Sequence, residues 1–325
     1  MIIIRKRICT GFTFLYKDIL KNPEINNYGD FDMRQVIGLN FVSLRRNTTE
    51  IRPLNESLKL CKDAGILLLD HLTPVTNEDY LENAHKQREA IEEAGLQIHQ
   101  SHCPFFRYGP NGLEKFREFA PRAVKTAAVL GAKYLVFHAD EARPENGEPF
   151  DAERILARTR EYLAPIIDQC VELGIRPAIE NLFEEDPANR SRFTHAAEEV
   201  IAVIESFPGS GIGCCLDTGH LNVSTGGGDA FITDMEKLAP YVVCTHIHDN
   251  RYGRDMHKPA FFGDIPWEKL MAILKKNNYA GELCWEFVYE RVPDEVYPAF
   301  MNMVRSSGEY LIRQFEAVGE PLKSH

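Results

Sequence analysis

The segment Cys214-Cys215-Leu216-Asp217-Thr218-Gly219-His220 ends a short apolar run in an acid and sets an imidazole three residues beyond it. A carboxylate and a histidine leaving a buried strand together stand ready to hold a cation or a substrate oxygen. The same texture recurs. Ser101-His102, Phe137-His138, Ile179-Glu180-Asn181, Thr245-His246-Ile247-His248 and Trp285-Glu286 each close a predicted strand with a side chain able to ligate, and Asp255-Met256-His257 follows in one short loop. Any one of these histidines is most simply a hydrogen-bonded core or loop residue. Six of the eleven histidines, converging with three carboxylates, read instead as a metal site. Glu180, Asp217, His246 and Glu286 offer carboxylates and one imidazole without a thiolate. That donor set suits Mn²⁺, the first expectation, or Mg²⁺, Co²⁺ or Zn²⁺, with room for two substrate oxygens. A metal holding a carbonyl and its neighbouring hydroxyl acidifies the hydrogen between them and stabilises the enediolate. Glutamates on either side can remove and return that proton.

Side chains so placed need elements that deliver them to one rim. From residue 36 onward, short β-branched or aliphatic runs alternate with longer amphipathic segments. The runs predict strands over 36–41, 66–69, 97–102, 134–138, 176–180, 212–217, 242–246 and 282–287. The amphipathic segments predict helices over 54–64, 78–94, 113–130, 151–173, 195–206, 229–238, 267–276 and 298–316. Ala64-Gly65, Ala94-Gly95, Leu130-Gly131 and Leu173-Gly174 stand where C-cap glycines close helices ahead of strands. Strands alternating with helices, with no internal linker, indicate a single-domain α/β fold, the (β/α)8 TIM barrel, whose chemistry sits at the C-terminal strand ends. A doubly wound sheet is the alternative, but no G-x-G-x-x-G turn follows the first strand. The barrel is expected over 33–318, with a tail over 319–325. Residues 1–32 carry Ile2-Ile3-Ile4 ahead of Arg5-Lys6-Arg7, the reverse of signal-peptide order, and read as an N-terminal extension with Met33 as an alternative start.

Composition bounds the function. The chain has 325 residues, 44% hydrophobic and 26% charged, and no apolar run long enough to span a membrane. A net charge of -11 repels nucleic acid and anionic membranes, so neither is an expected partner. Eight scattered cysteines without C-x-x-C spacing read as reduced, buried thiols of a cytoplasmic protein.

His102, Glu180-Asn181, Leu216-Asp217-Thr218-Gly219-His220, His246-Ile247-His248-Asp249-Asn250, Asp255-x-His257 and Gly281-x-x-x-Trp285-Glu286 resemble the xylose-isomerase-like TIM-barrel family from about residue 33 to the C-terminus. That family holds sugar and sugar-phosphate isomerases and epimerases together with endonuclease IV. The resemblance implies one divalent metal on Glu180, Asp217, His246 and Glu286, with the two glutamates doubling as the acid/base pair and His220 on a substrate oxygen. His102, His138, His248 and His257 are expected to line the pocket, with Arg254, Asp255 and Asp186 as further substrate contacts. Two departures stand out. The ketose 3-epimerases carry a second glutamate where this chain has Asp186, and a substrate-binding arginine where it has Tyr252, flanked by Arg251 and Arg254. The far end of the sugar is therefore held differently.

The reading is a metal-dependent sugar isomerase or epimerase with a small carbohydrate substrate, and a homo-oligomer or a partner subunit is left open. Two rivals share the fold. Endonuclease IV uses three zinc ions, and His102, His138, Glu180, Asp217, His220, His246, Asp255, His257 and Glu286 offer a counterpart for each ligand; the acidic balance argues against it. Other relatives work with a partner subunit on 3-oxo-glycosides and eliminate the aglycone, a role in which His138 would be the base. A non-catalytic metal-binding barrel would need the ligands alone. Phe105, Phe106, Tyr108, Phe261 and Phe262 read as rim aromatics for a sugar face, loop packing or a subunit contact. Thr225-Gly226-Gly227-Gly228-Asp229 reads as a mobile lid rather than a phosphate cradle, and Asp264 as a turn former.

Overall fold

A computed structural model describes residues 33–38, 52–107, 111–141, 149–184, 190, 192–251, 253–286 and 292–318. Tyr108, Asp186, Tyr252 and the segments 1–32 and 319–325 lie outside these residues. The aliphatic runs, apolar on both faces, form strands that need cover inside and out. They are β1 (Gln35–Gly38), β2 (Leu68–Asp70), β3 (Gln97–His102), β4 (Tyr134–Phe137), β5 (Arg176–Glu180), β6 (Gly213–Asp217) and β7 (Val242–His246). A hairpin of β8 (Asp249–Arg251) and β9 (Arg254–Lys258) precedes β10 (Leu283–Trp285). The eight-stranded sheet runs β10-β1-β2-β3-β4-β5-β6-β7, and its pairings are parallel. An Ile247–Trp285 bridge joins its two edges, with Ile247 N–H donating to Cys284 O at 2.6 Å and Glu286 N–H to Ile247 O at 3.1 Å. This is a TIM barrel.

The helices are α1 (Leu54–Asp63), α2 (Tyr80–Glu93), α3 (Gly112–Leu130), α4 (Ala152–Glu172), α5 (Ala197–Glu205), α6 (Thr218–Thr225), α7 (Gly228–Leu238), α8 (Trp267–Lys276) and α9 (Tyr297–Glu316). Gly131 closes α3 at φ 81°, a left-handed backbone that favours glycine, and Gly65, Gly95 and Gly174 do the same after α1, α2 and α4. Helix faces and outward strand residues such as Leu69, Leu135, Ile179 and Leu216 form the main core.

The two-residue period of a strand explains how the site is delivered. Ala178, Cys215 and Cys244 pack in a separate small cluster with Val136 and Tyr134, inside the barrel. One step of the period onward from each, along β5, β6 and β7, come Glu180, Asp217 and His246. Cys284 and Glu286 repeat the spacing at β10. Small side chains beneath each ligand leave the upper layer to the polar groups.

The structure also departs from the sequence expectation. After Asp217, where no helix was expected, α6 runs for two turns, because the Asp217 carboxylate caps it and accepts from His220 N–H at 2.6 Å. The glycine run is no lid but the joint between two helices: Gly226 ends α6 at φ 71° and α7 starts at Gly228. The expected loop around Asp255 is the β8–β9 hairpin. Among the described residues no helix is long and apolar enough to cross a membrane, and Cys61, Cys103, Cys170, Cys214, Cys215, Cys244 and Cys284 are free and buried.

Candidate metal centre

Glu180, Asp217, His246 and Glu286 each offer a donor atom lying within 4.8 Å of the others, and all four are buried. Register supplies the first contact, since Asp217 on β6 lies opposite His246 on β7. Asn181 ties β5 to β6 beside them, its amide donating to Asp217 O at 2.9 Å and its oxygen accepting from Asp217 N–H at 2.8 Å. His246 Nδ1 sits 3.1 Å from Glu180 Oε2 and 3.1 Å from Glu286 Oε2. Its other nitrogen faces Asp70 Oδ2 at 3.6 Å. Asp70, at the end of β2, thus orients the ring with Nδ1 toward the group, as an outer carboxylate does for a ligating histidine.

Two further groups flank this one. His102, His138 and Glu180 form the first, with His102 Nε2 at 3.1 Å and His138 Nε2 at 3.4 Å from Glu180 Oε2. The second contains His220, His248, Asp255 and His257. His220 Nδ1 lies 3.0 Å from Glu180 Oε1 and 3.4 Å from Asp217 Oδ2, so it bridges the second group to the central one. His248 is fully buried behind Asp217, with Nε2 2.9 Å from Oδ1, and stacks on His257 at 4.0 Å between ring centroids. That place exists because residue 219 is glycine: a Cβ there would meet His248 Cε1 at 1.9 Å. His257 reaches Asp255 Oδ2 at 3.0 Å.

The fit to a cation follows from charge. Burial pushes the Glu180 carboxyl up, but His246, His138 and His102 outweigh it and hold it well below the usual carboxylate range. Glu286 is held low in the same way, chiefly by His246. The cost appears on the histidines. Burial pulls His246 down, yet Cys215, Glu286 and Glu180 raise it well above the ordinary imidazole value. His220 is raised to about 9 and His257 to about 10 against the same desolvation, by Asp217 and Glu180 in one case and by Asp255 and Glu286 in the other. Asp255 falls to about 2 despite burial, through His257 and His220. The imidazole protons carry positive charge beside the converging carboxylates. A divalent ion would supply it instead.

The structure therefore brings together every expected site residue within the described segments except Arg254, which is exposed at the hairpin opposite Arg251. Sequence reasoning missed Asp70. It also missed Asp140, buried behind His138, with its Oδ1 4.0 Å from His138 Nδ1 and its Oδ2 paired to Arg107 and Arg192. Asp70-His71 does end an aliphatic run as the other strand ends do, and that was the available signal.

Residues 58–307 match the xylose isomerase-like TIM barrel family. The chain belongs to that family. A family relative, an uncharacterized protein of Sinorhizobium fredii, is 23% identical over 272 residues, 73% of this chain and 82% of the relative. Among solved structures, a D-psicose 3-epimerase studied in the presence of D-fructose superposes with a TM-score of 0.66 at 17% identity, covering 87% of this chain and 99% of that one. The IolI protein with a bound zinc atom gives a TM-score of 0.66 at 15% identity, covering 89% and 100%. At these identities the likeness is one of fold.

Proposed function

We propose that the chain is a divalent-metal-dependent sugar isomerase or epimerase that moves a proton next to a carbonyl. The observation that carries this reading is the buried group of Glu180, Asp217, His246 and Glu286 at the strand ends, where a TIM barrel keeps its chemistry. The epimerase and zinc-bound structures that share the fold support it. Those four residues would hold the ion, which when bound would polarise a carbonyl and its neighbouring hydroxyl and steady the enediolate. Glu180 and Glu286 approach His246 Nδ1 at equal distances, and in this reading one removes the carbon-bound proton while the other returns it. His220 and Asp255 hold a substrate oxygen. His102 and His138 steady the Glu180 carboxylate, and His248 fixes Asp217 rather than touching substrate.

The test is elemental analysis of unchelated protein followed by a ketose panel in D₂O. About one Mn, Co, Mg or Zn per chain with exchange of a ketose α-hydrogen supports the reading. One tightly held ion without exchange on any ketose counts against it.

A second reading has one observation in its favour. The two flanking groups supply, with the central one, the ligands of a three-zinc phosphodiesterase. Close to three Zn per chain with cleavage of abasic DNA would put it first. The net charge of -11 stands against a duplex-binding rim.

A further inference from the structure

Beside the metal group lies a compartment that the proton-transfer chemistry does not use. A cavity of about 520 Å³ opens between the loops after β2 and β3, the first turn of α1 and Gln87 in the middle of α2. It shares two walls with the site. His102 lines it while its Nε2 touches Glu180 at 3.1 Å, and Phe105 lines it while stacking on His138 at 4.4 Å between centroids. Its volume lies within the range of roughly 300–1,000 Å³ that takes drug-sized ligands.

The chemistry of the walls narrows the occupant. Leu72, Val75, Cys103, Pro104 and Phe106 present carbon or sulfur. A bare sugar, with an oxygen on every carbon, would press most of its hydroxyls against these apolar walls, where Ser57, Thr73, Thr76, Gln87 and His71 offer only a few polar groups. A phosphate fits no better. Arg52 is the cation on that wall, and its terminal nitrogens already pair with Asp294 at 2.8 Å and Glu56 at 3.5 Å while the guanidinium lies 4.7 Å over the Tyr297 ring, leaving Nε as its one buried donor without a hydrogen-bond partner. The remaining polar groups are neutral. Thr73 donates to Gln87 Oε1 at 2.9 Å, and His71 Nε2 meets the same oxygen, so that nitrogen carries the ring proton. His71 Nδ1 is then a buried acceptor without a hydrogen-bond partner, and burial keeps the ring neutral. An apolar ring with at most one hydroxyl suits such a wall.

We infer that the substrate is a sugar bearing an apolar or aromatic substituent, its sugar at the metal group and its substituent in this cavity. The inference rests on the sugar reading above. It departs from a free ketose by assigning affinity to the part of the molecule that does not react.

The experiment is calorimetric titration of the metal-loaded protein with matched pairs: the monobenzyl and monomethyl ethers of D-fructose, and the phenyl and methyl β-D-glucopyranosides. Burial of one phenyl ring is worth roughly 10- to 100-fold in affinity. At least one aromatic member should bind about tenfold or more tighter than its methyl partner. In Thr76→Trp, which places bulk at an exposed position on the cavity rim, that advantage should vanish while the methyl compound binds as before. No aromatic advantage in any pair, or one that survives Thr76→Trp, overturns the inference. Phenol alone binding as tightly as the best aryl sugar overturns the link between cavity and metal group. Failure of every sugar to bind, with no ketose hydrogen exchange, instead removes the sugar reading and the inference with it.

Discussion

The central donor group and the hairpin half of its neighbour, Asp255 and His257, are a few ångströms apart and are built in opposite ways. Glu180, Asp217, His246 and Glu286 come from different strands or their immediate ends, and none is more than 5% exposed. Each is fixed by a ladder that also holds the barrel together. Asp255 and His257 ride on the antiparallel hairpin, with side chains 19% and 20% exposed. His257 also sits at φ 43°, a left-handed backbone that costs a non-glycine residue on the order of 1 kcal/mol. Its ring contacts, Nε2 to Asp255 and Nδ1 to Glu286 O at 3.2 Å, accompany that conformation. The contrast separates a preorganised cage from an arm that meets it. On the proposed function, strong and selective binding would belong to the first, and adjustment to a ligand to the second.

The largest effect should come from Glu286→Gln, which keeps the shape and removes the charge. Ketose hydrogen exchange should fall about 10³-fold or more with the circular dichroism unchanged, whereas His257→Gln should cost about tenfold. Equal losses would erase the distinction between cage and arm. Next, Asp70→Asn should weaken metal binding roughly 10- to 100-fold, read by competition with a chelating dye, because His246 loses the partner that orients it. An unchanged affinity would mean that packing alone sets the ring.

The pH dependence sharpens the comparison further. His246 must shed its proton to ligate, so affinity for Zn²⁺ should rise about tenfold per pH unit between pH 6 and 8. A steeper slope would show the outer histidines deprotonating too, as ions entering that group require. In the metal-free protein the sign is the opposite. His220 and His257 have folded values raised to about 9 and about 10, so the stability they add is fully present below the ordinary 6.5 and is lost as pH rises through those values. Denaturant midpoints between pH 6 and 10, with and without metal, should therefore diverge. On stability rather than activity, Gly219→Ala forces His248 aside and should cost about 1–3 kcal/mol in urea unfolding.

Much of this was legible in the sequence, for a physical reason. A barrel strand buried on both faces is a short aliphatic run, and the residue that ends it must face the mouth, so runs closing in Glu180, Asp217 or His246 announce both fold and site. Asp70 closes Ile66-Leu67-Leu68-Leu69 in the same way, but the predicted strand, ending at residue 69, stops one residue short of it. Whether such an acid joins a donor group or caps a helix depends on partners far along the chain, and Asp217 both caps α6 and stands in the central donor group. The place of His248 behind Asp217 was hidden, because it depends on Gly219 having no side chain. The cavity beside His102 has no sequence signature at all. Its walls come from two loops and two helices whose residues are ordinary apolar choices at each position.

The bridge from Ile247 to Trp285 has a consequence in time. A ribosome extends the chain at roughly 5–20 residues per second, so the β10 end reaches solvent well after β5, β6 and β7. Until it does, the nascent polypeptide displays Glu180, Asp217 and His246 without Glu286 and without the neighbour that seals the ring. An incomplete cage has fewer donors and no fixed radius with which to discriminate among ions. On the proposed function, the choice of metal would therefore fall to the finished molecule and to whichever ion its surroundings offer once synthesis ends.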